Sequence, residues 1–302
     1  MSAVVAQRPI IIDTDPGLDD AVAILLALAC GRFDVLGLTT IAGNIGLDRT
    51  SANASGLLAA MGRPDIPVYA GSPMAAGDGI DASDIHGDDG LGGITLPAGR
   101  PPETGAVDWL AATLLAQPAG VVDLFALGPL TTIAQLLDEH NEAASRIGHL
   151  LIMGGAVDEP GNVGPHSEFN FAADPEAAAR VLASSLRITL VPLDVTRRVR
   201  ASRPFVETLR GTKAGSLSAD LLTAYFLGGK ESRPLHDPCV VLLALAPQLF
   251  RTETLHLAVD LQPGPDRGAL RRDQSGHPVA VAMAVDADAV LALLSESLTR
   301  LA

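Results

Sequence analysis

Four aspartates fall within the eight residues Asp13-Thr14-Asp15-Pro16-Gly17-Leu18-Asp19-Asp20, directly after the all-apolar run Ile10–Ile12. Carboxylates that close repel one another unless a cation compensates them or some of them carry protons. Their oxygens suit a hard ion such as Ca2+ or Mg2+, and Pro16-Gly17 makes a tight turn that can aim several at one point. A helix starting near Asp19 would also favour acids at its N-terminus. Capping by Asp19 and Asp20, with Asp13 and Asp15 in solvent, explains one or two acids but not four. The turn reads as a metal or catalytic site. The EF-hand is excluded, because Pro16 and Gly17 break its ligand spacing.

The elements that must position this turn are legible as an alternation. Apolar runs at Pro9–Asp13, Val35–Ile41, Val121–Leu127, Leu150–Met153 and Ile188–Leu193 read as buried strands. Between them, Asp20–Cys30, Leu47–Met61, Leu130–Glu139 and Pro175–Ser184 have helical patterning. Near-continuous apolar strands separated by helices indicate βαβ units and a parallel sheet covered on both faces. His256–Leu261 and Pro278–Asp286 alternate more strictly and read as antiparallel or edge strands, with a closing helix over Ala287–Ala302. Gly71–Thr104 and Gly154–Asp174 resist assignment, and long loops inside a compact domain are usually functional. The expectation is one Rossmann-like α/β domain over residues 1–302, with a mainly parallel central sheet flanked by helices. Ligands then bind at the C-terminal ends of the strands. Asp13–Asp20, Ala42-Gly43-Asn44, Leu127-Gly128-Pro129 and Met153-Gly154-Gly155 all follow such ends.

Composition narrows the partners. The chain has 302 residues, 48% of them hydrophobic, which is ample for a large core and excludes intrinsic disorder. Asp+Glu 35 against Lys+Arg 21 gives a net charge of −14, the wrong field for nucleic acid or an anionic membrane. No apolar run approaches the roughly 18 residues of a membrane span. The start MSAVVAQRPI lacks a signal-peptide pattern, so a soluble cytoplasmic protein is expected. Cys30 and Cys239 read as buried small hydrophobes, not as a disulfide.

The segment IIIDTDPGLDDAVAILLA resembles the N-terminal signature of the inosine–uridine-preferring nucleoside hydrolase family. Further motifs agree in order: Thr39-Thr40-Ile41-Ala42-Gly43-Asn44, Ile85-His86-Gly87, Met153-Gly154-Gly155, Glu168-Phe169-Asn170 with Asp174-Pro175-Glu176-Ala177-Ala178, and His236-Asp237-Pro238. The resemblance spans nearly the whole chain. It implies hydrolysis of the N-glycosidic bond of ribonucleosides to free base and ribose, with a tightly held Ca2+. By similarity, Asp15, Asp20 and Asp237 would ligate calcium through side chains and Leu127 through its backbone carbonyl, where relatives often have Thr. Asp15 would be the general base on a calcium-bound water, and His236 would assist the leaving base. Asp19, Asn44, Asn162, Glu168 and Asn170 resemble the ribose-binding set. His86 would approach the base from another side, with Met153 and Phe169 packing beneath the sugar. Asp13 would orient the turn. The resemblance also implies a small-molecule ribonucleoside substrate, a role in nucleoside salvage and a homodimer or homotetramer.

Plainer roles exist for several of these residues. His236 could cap a helix starting at Pro238, Asn162 could be a turn residue after Gly161, and Met153 could be ordinary core. Glu168 and Asn170 could belong to a structural loop network. His166 lies in the Gly161–Glu168 loop, where it could touch ligand. Base preference depends on the loops Gly71–Gly93 and Leu222–Leu235, where Tyr225 is the nearest aromatic and Arg233 could contact a base carbonyl or be a solvated charge. His236 tilts the reading towards an inosine–uridine or pyrimidine type. One rival is a Mg2+-dependent phosphotransferase of the haloacid-dehalogenase type, with Asp13 as nucleophile in Asp13-Thr14-Asp15. It needs a strand-end lysine, and Lys213 and Lys230 follow no clear strand. The other rival is a non-catalytic, calcium-stabilised nucleoside-binding protein. A dinucleotide site is disfavoured because no G-x-G-x-x-G turn follows the first strand.

Overall fold

A computed structural model describes residues 7–72, 82–226 and 230–300. The strands are β1 (Arg8–Thr14), β2 (Phe33–Thr40), β3 (Val68–Ala70), β4 (Glu103–Thr104), β5 (Asp123–Ala126), β6 (His149–Met153), β7 (Ile188–Val191), β8 (Arg200–Ser202), β9 (Ser232–Pro234), β10 (Phe250–Val259), β11 (Leu270–Arg272) and β12 (His277–Val285). Ten of them form one sheet in the order β11-β10-β12-β7-β6-β5-β1-β2-β3-β4, and β8 and β9 make a separate antiparallel pair. From β12 to β4 every pairing is parallel, while β10 runs antiparallel to both β12 and β11.

The chain steps from β1 outwards to β4, then returns to the other side of β1 with β5. That reversal makes the gap between β1 and β5 a topological switch point, where loops diverge and leave a crevice. Register places Asp13 of β1 beside both Thr39 of β2 and Ala126 of β5. The segments after β1, β2 and β5 therefore leave the sheet side by side.

Burial explains why this frame is rigid. Ile10, Ile11 and Ile12 of β1 and Leu124 and Phe125 of β5 have no exposed surface. Helix Leu18–Ala29 is buried over Leu18–Ala27 because it is wrapped by helices Lys213–Tyr225, Pro238–Leu245 and Ala287–Thr299. Each such leucine or isoleucine contributes roughly 1.5–3 kcal/mol relative to exposure. A helix apolar on all sides is one surrounded by protein. Among the described residues no helix is long and apolar enough to cross a membrane. Cys30 and Cys239 are buried free thiols.

The structure differs from the sequence reading at the sheet's periphery. β3 and β4 are too short to leave a periodic signal, and helix Ala106–Ala116 was not expected. β12 is not an edge strand: it pairs parallel with β7 on one side and antiparallel with β10 on the other. β10 begins at Phe250 and its first half alternates charged and small residues, which obscures the strand. The Gly71–Thr104 stretch contains the one-turn helix Ser83–His86 and β4. Its residues 73–81, and the Gly228-Gly229 part of the Leu222–Leu235 loop, lie outside the described residues.

Candidate active site

The turn after β1 winds into the helix at Leu18 with all four aspartates buried. Asp20 organises it. Its Oδ1 accepts from the Thr14 hydroxyl at 2.6 Å and the Asp15 N–H at 3.3 Å, and its Oδ2 from the Gly17 N–H at 3.1 Å. Asn44, from the loop after β2, donates its side-chain N–H to Asp20 Oδ2 at 3.0 Å and to the Asp15 carbonyl at 3.1 Å. Asp13 accepts from Thr39 at 2.5 Å, and burial raises it to about 7.

Asp15 sits in a cradle of glycines. A Cβ on Gly43 would collide with its Oδ2, and one on Gly128 would collide with its Oδ1. Oδ2 accepts from the Asn44 N–H at 2.7 Å, whereas Oδ1 is buried without a partner among the described residues. Burial first, then the Asp20 and Asp19 charges, hold Asp15 well above the usual carboxylate range. Burial and Asp20 likewise push Asp19 up to about 7, and burial with Asp19, Asp20 and Asp15 raises Asp237.

Oxygens of Asp19, Asp20 and Asp237 lie within 4.8 Å of one another. Asp237 arrives from the distant turn before helix Pro238–Leu245. Buried, mutually repelling carboxylates and an orphaned Asp15 oxygen are the donor set of a hard cation, so these residues fit a metal ion. The sequence-derived ligand set contains Asp15 where the tightest trio contains Asp19. Asp15 couples to that trio through the Asp20 and Asp19 charges and the shared Asn44 bonds.

Above this centre opens a cavity of about 380 Å³, lined by Asp19, Asn44, His86, Leu127, Met153, Asn162, Glu168, Phe169, Asn170, Tyr225, His236 and Asp237, among others. Every residue the sequence singled out for substrate binding is on its wall. Asp15 and Asp20 lie in the buried layer beneath. Asn170 donates to the Leu127 carbonyl at 2.7 Å and contacts the Met153 carbonyl at 3.3 Å, tying the ends of β5 and β6 together. The Glu168 carboxylate accepts backbone N–H bonds from Gly155, Asn170 and Phe171 at 3.0, 3.0 and 3.2 Å, capping helix Phe169–Ala173. Asn162 Oδ1 accepts the Phe169 N–H at 2.8 Å. Glu168, Asn162 and Asn170 thus combine a cavity position with a structural loop network. His166 is exposed and pairs with Asp266 at 2.8 Å, and it does not line the cavity.

One part of the wall carries His86 and His236. His86 is lowered to about 4 and His236 to about 3, both chiefly by burial, so both rings are neutral near pH 7. His86 stacks on Tyr225 with centroids 5.9 Å apart, and the Arg233 guanidinium lies over the Tyr225 ring, 4.9 Å from its centroid. Sequence reasoning missed Thr196, whose hydroxyl lies 2.7 Å from His236 Nδ1, and Asp194, which holds the N–H groups of Val157 and Asp158 at 2.8 and 2.7 Å. Both sit in the short helix Leu193–Thr196 after β7, and only the Asp-x-Thr pattern at a strand end could have drawn attention to them.

A doubly wound sheet with this acidic centre at its switch point defines the nucleoside hydrolase class. The model of the inosine-uridine preferring nucleoside hydrolase family matches residues 10–292, and the chain belongs to that family and is an N-ribohydrolase. The pyrimidine-specific ribonucleoside hydrolase RihA of Photobacterium profundum is 40% identical over 268 residues, covering 85% of this chain and 86% of that protein. RihA of Salmonella newport is 37% identical over 295 residues, covering 93% and 94%. Among solved structures, the plant nucleoside hydrolase PpNRh1 has a TM-score of 0.89 at 33% identity, covering 98% of this chain and 100% of that one. A purine-preferring ribonucleoside hydrolase from Gardnerella vaginalis also has a TM-score of 0.89, at 29% identity over 97% and 98%.

Proposed function

We propose that the enzyme is a calcium-dependent hydrolase of pyrimidine ribonucleosides, with Asp15, Asp20, Asp237 and the Leu127 carbonyl holding the ion. The observation that carries this reading is a buried Asp15 Oδ1 without a partner among the described residues, in a carboxylate that feels the charges of Asp19 and Asp20, two of three acids whose oxygens lie within 4.8 Å. Calcium, when bound, would balance that negative charge and acidify the attacking water. Asp15 is the general base, taking the water proton at the oxygen left free by the Asn44 bond. Asp19, Asn44, Asn162, Glu168 and Asn170 orient the ribose hydroxyls from the cavity wall, and Met153 and Phe169 pack against the sugar. As the C1′–N bond lengthens, buried carboxylates stabilise the positive ribosyl centre. His236 and His86 face the base, and His236 assists its departure.

The pyrimidine preference is supported by the two RihA relatives, both more similar in sequence than the purine-preferring Gardnerella enzyme. Ribose release from uridine, cytidine, inosine and adenosine in phosphate-free buffer tests both parts. We expect uridine and cytidine to lead, release to stop on chelation, and Ca2+ to restore it. Faster release from inosine or adenosine would overturn the base preference, and full activity in chelator would overturn the metal dependence.

A further inference from the structure

Both histidines on the cavity wall are occupied from behind. The Leu18 backbone N–H donates to Nδ1 of His86 at 3.0 Å. That nitrogen is therefore an acceptor, and the proton of the neutral ring sits on Nε2. The close approach depends on Gly17, where a Cβ would come within 2.7 Å of the same nitrogen.

For His236 the partner is the Thr196 hydroxyl, 2.7 Å from Nδ1, and distance alone allows either atom to donate. The surroundings remove that ambiguity. Thr196 has no exposed surface, and this nitrogen is the hydroxyl's hydrogen-bond partner among the described residues. Were Nδ1 protonated, the hydroxyl hydrogen would be left in the interior without an acceptor, which buried hydroxyls seldom tolerate. With the hydroxyl donating, His236 also carries its proton on Nε2. Thr196 closes the short helix that follows β7 and Leu18 opens the helix that follows β1, so two separate strand ends impose the same tautomer on two rings.

We propose that Thr196 is a positioning residue for His236, and that together with the Leu18 N–H it makes the base end of the cavity a pair of fixed, neutral Nε2–H donors. Such donors suit the carbonyl oxygens and ring nitrogens of a departing base. They stabilise charge that grows on it as the C1′–N bond lengthens, without a charged imidazolium in the ground state. This inference rests on the reading of His236 as the group that assists the base.

Two experiments test it. In the calcium-loaded enzyme labelled with [15N]histidine, with His86→Asn and His236→Asn as assignment controls, both rings should show a protonated Nε2 and an unprotonated Nδ1. A protonated Nδ1 on His236 overturns the proposal without any variant of Thr196. For Thr196→Val we expect kcat on uridine to fall about 10- to 100-fold with KM within about twofold. Turnover of p-nitrophenyl riboside, whose leaving group needs little assistance, should hold, and Thr196→Ser should recover most of the uridine activity. Equal losses on both substrates would mark Thr196 as merely structural and overturn the proposal. So would full uridine turnover in Thr196→Val while His236→Ala is impaired, which leaves the His236 reading standing. If His236→Ala itself keeps uridine turnover, that underlying reading falls, and the proposal falls with it.

Discussion

The backbone N–H of Asn44 donates to Oδ2 of Asp15 at 2.7 Å, which leaves Oδ1 as the oxygen of that carboxylate with no partner among the described residues. One oxygen is thus pinned, and the other is held in the buried layer against Gly128. Asp15→Asn keeps the shape and puts an amide where the proton acceptor stood. Turnover should fall at least about 100-fold. Ribose release and calcium titration together check it: full activity with calcium bound would remove Asp15 from the general-base role.

Glycine at positions 43 and 128 is dictated by the same carboxylate, because a Cβ at either would strike it. Gly43→Ala should therefore displace Asp15 while leaving the sheet intact. We expect calcium affinity and turnover to drop together with a near-native circular dichroism spectrum. A variant with wild-type calcium affinity would contradict the close packing seen here.

Calcium binding should be linked to protons. Burial and neighbouring charge push Asp19 up to about 7 and hold Asp15 and Asp237 well above the usual range. Asp19 is therefore protonated below about pH 7 in the ion-free protein, Asp15 and Asp237 keep protons beyond the usual carboxylate range, and an ion must displace protons from this cluster. Affinity should then weaken as pH falls through 7, by up to about tenfold per unit for each proton displaced. Calorimetry at pH 6 in two buffers of different ionisation enthalpy would read the release; identical heats would refute it.

His236→Ala should cost more on uridine than on p-nitrophenyl riboside, since only the natural base needs help in leaving. Parallel losses on the two substrates would show that the imidazole serves packing alone.

Asp194 lies outside the reacting groups, yet its two oxygens hold the Val157 and Asp158 N–H groups at the start of the loop that carries Asn162 and Glu168. Asp194→Ala leaves those donors unpaired, a loss of about 1–3 kcal/mol each where buried. We expect a lowered thermal midpoint and a KM for uridine raised several-fold. An unchanged KM would mean that the loop keeps its shape without this anchor.

Much of this was legible in the chain itself. Local chemistry is enough to read the acidic turn: four carboxylates after Ile10–Ile12 cannot all be solvated, and Pro16-Gly17 turns them inward. Strand apolarity is enough to read the parallel sheet, because β1, β5, β6 and β7 are buried on both faces. The short strands β3 and β4 were not legible, since two or three residues carry no period and their pairing comes from neighbours. Nor was the place of β12, whose pattern records one partly exposed face but not which strands flank it.

Partnership between distant residues was settled by folding alone. Asp237 meets Asp19 and Asp20 because helix Pro238–Leu245 packs on helix Leu18–Ala29, and nothing in its own motif states that distance. The Thr196 contact with His236 and the Leu18 contact with His86 span 40 and 68 positions, so no local spacing encodes them. Residue type determines what a side chain can donate, accept or ligate. Which atom it meets, and which of its oxygens or nitrogens remains free for chemistry, is decided only when the strand ends converge on the switch point between β1 and β5.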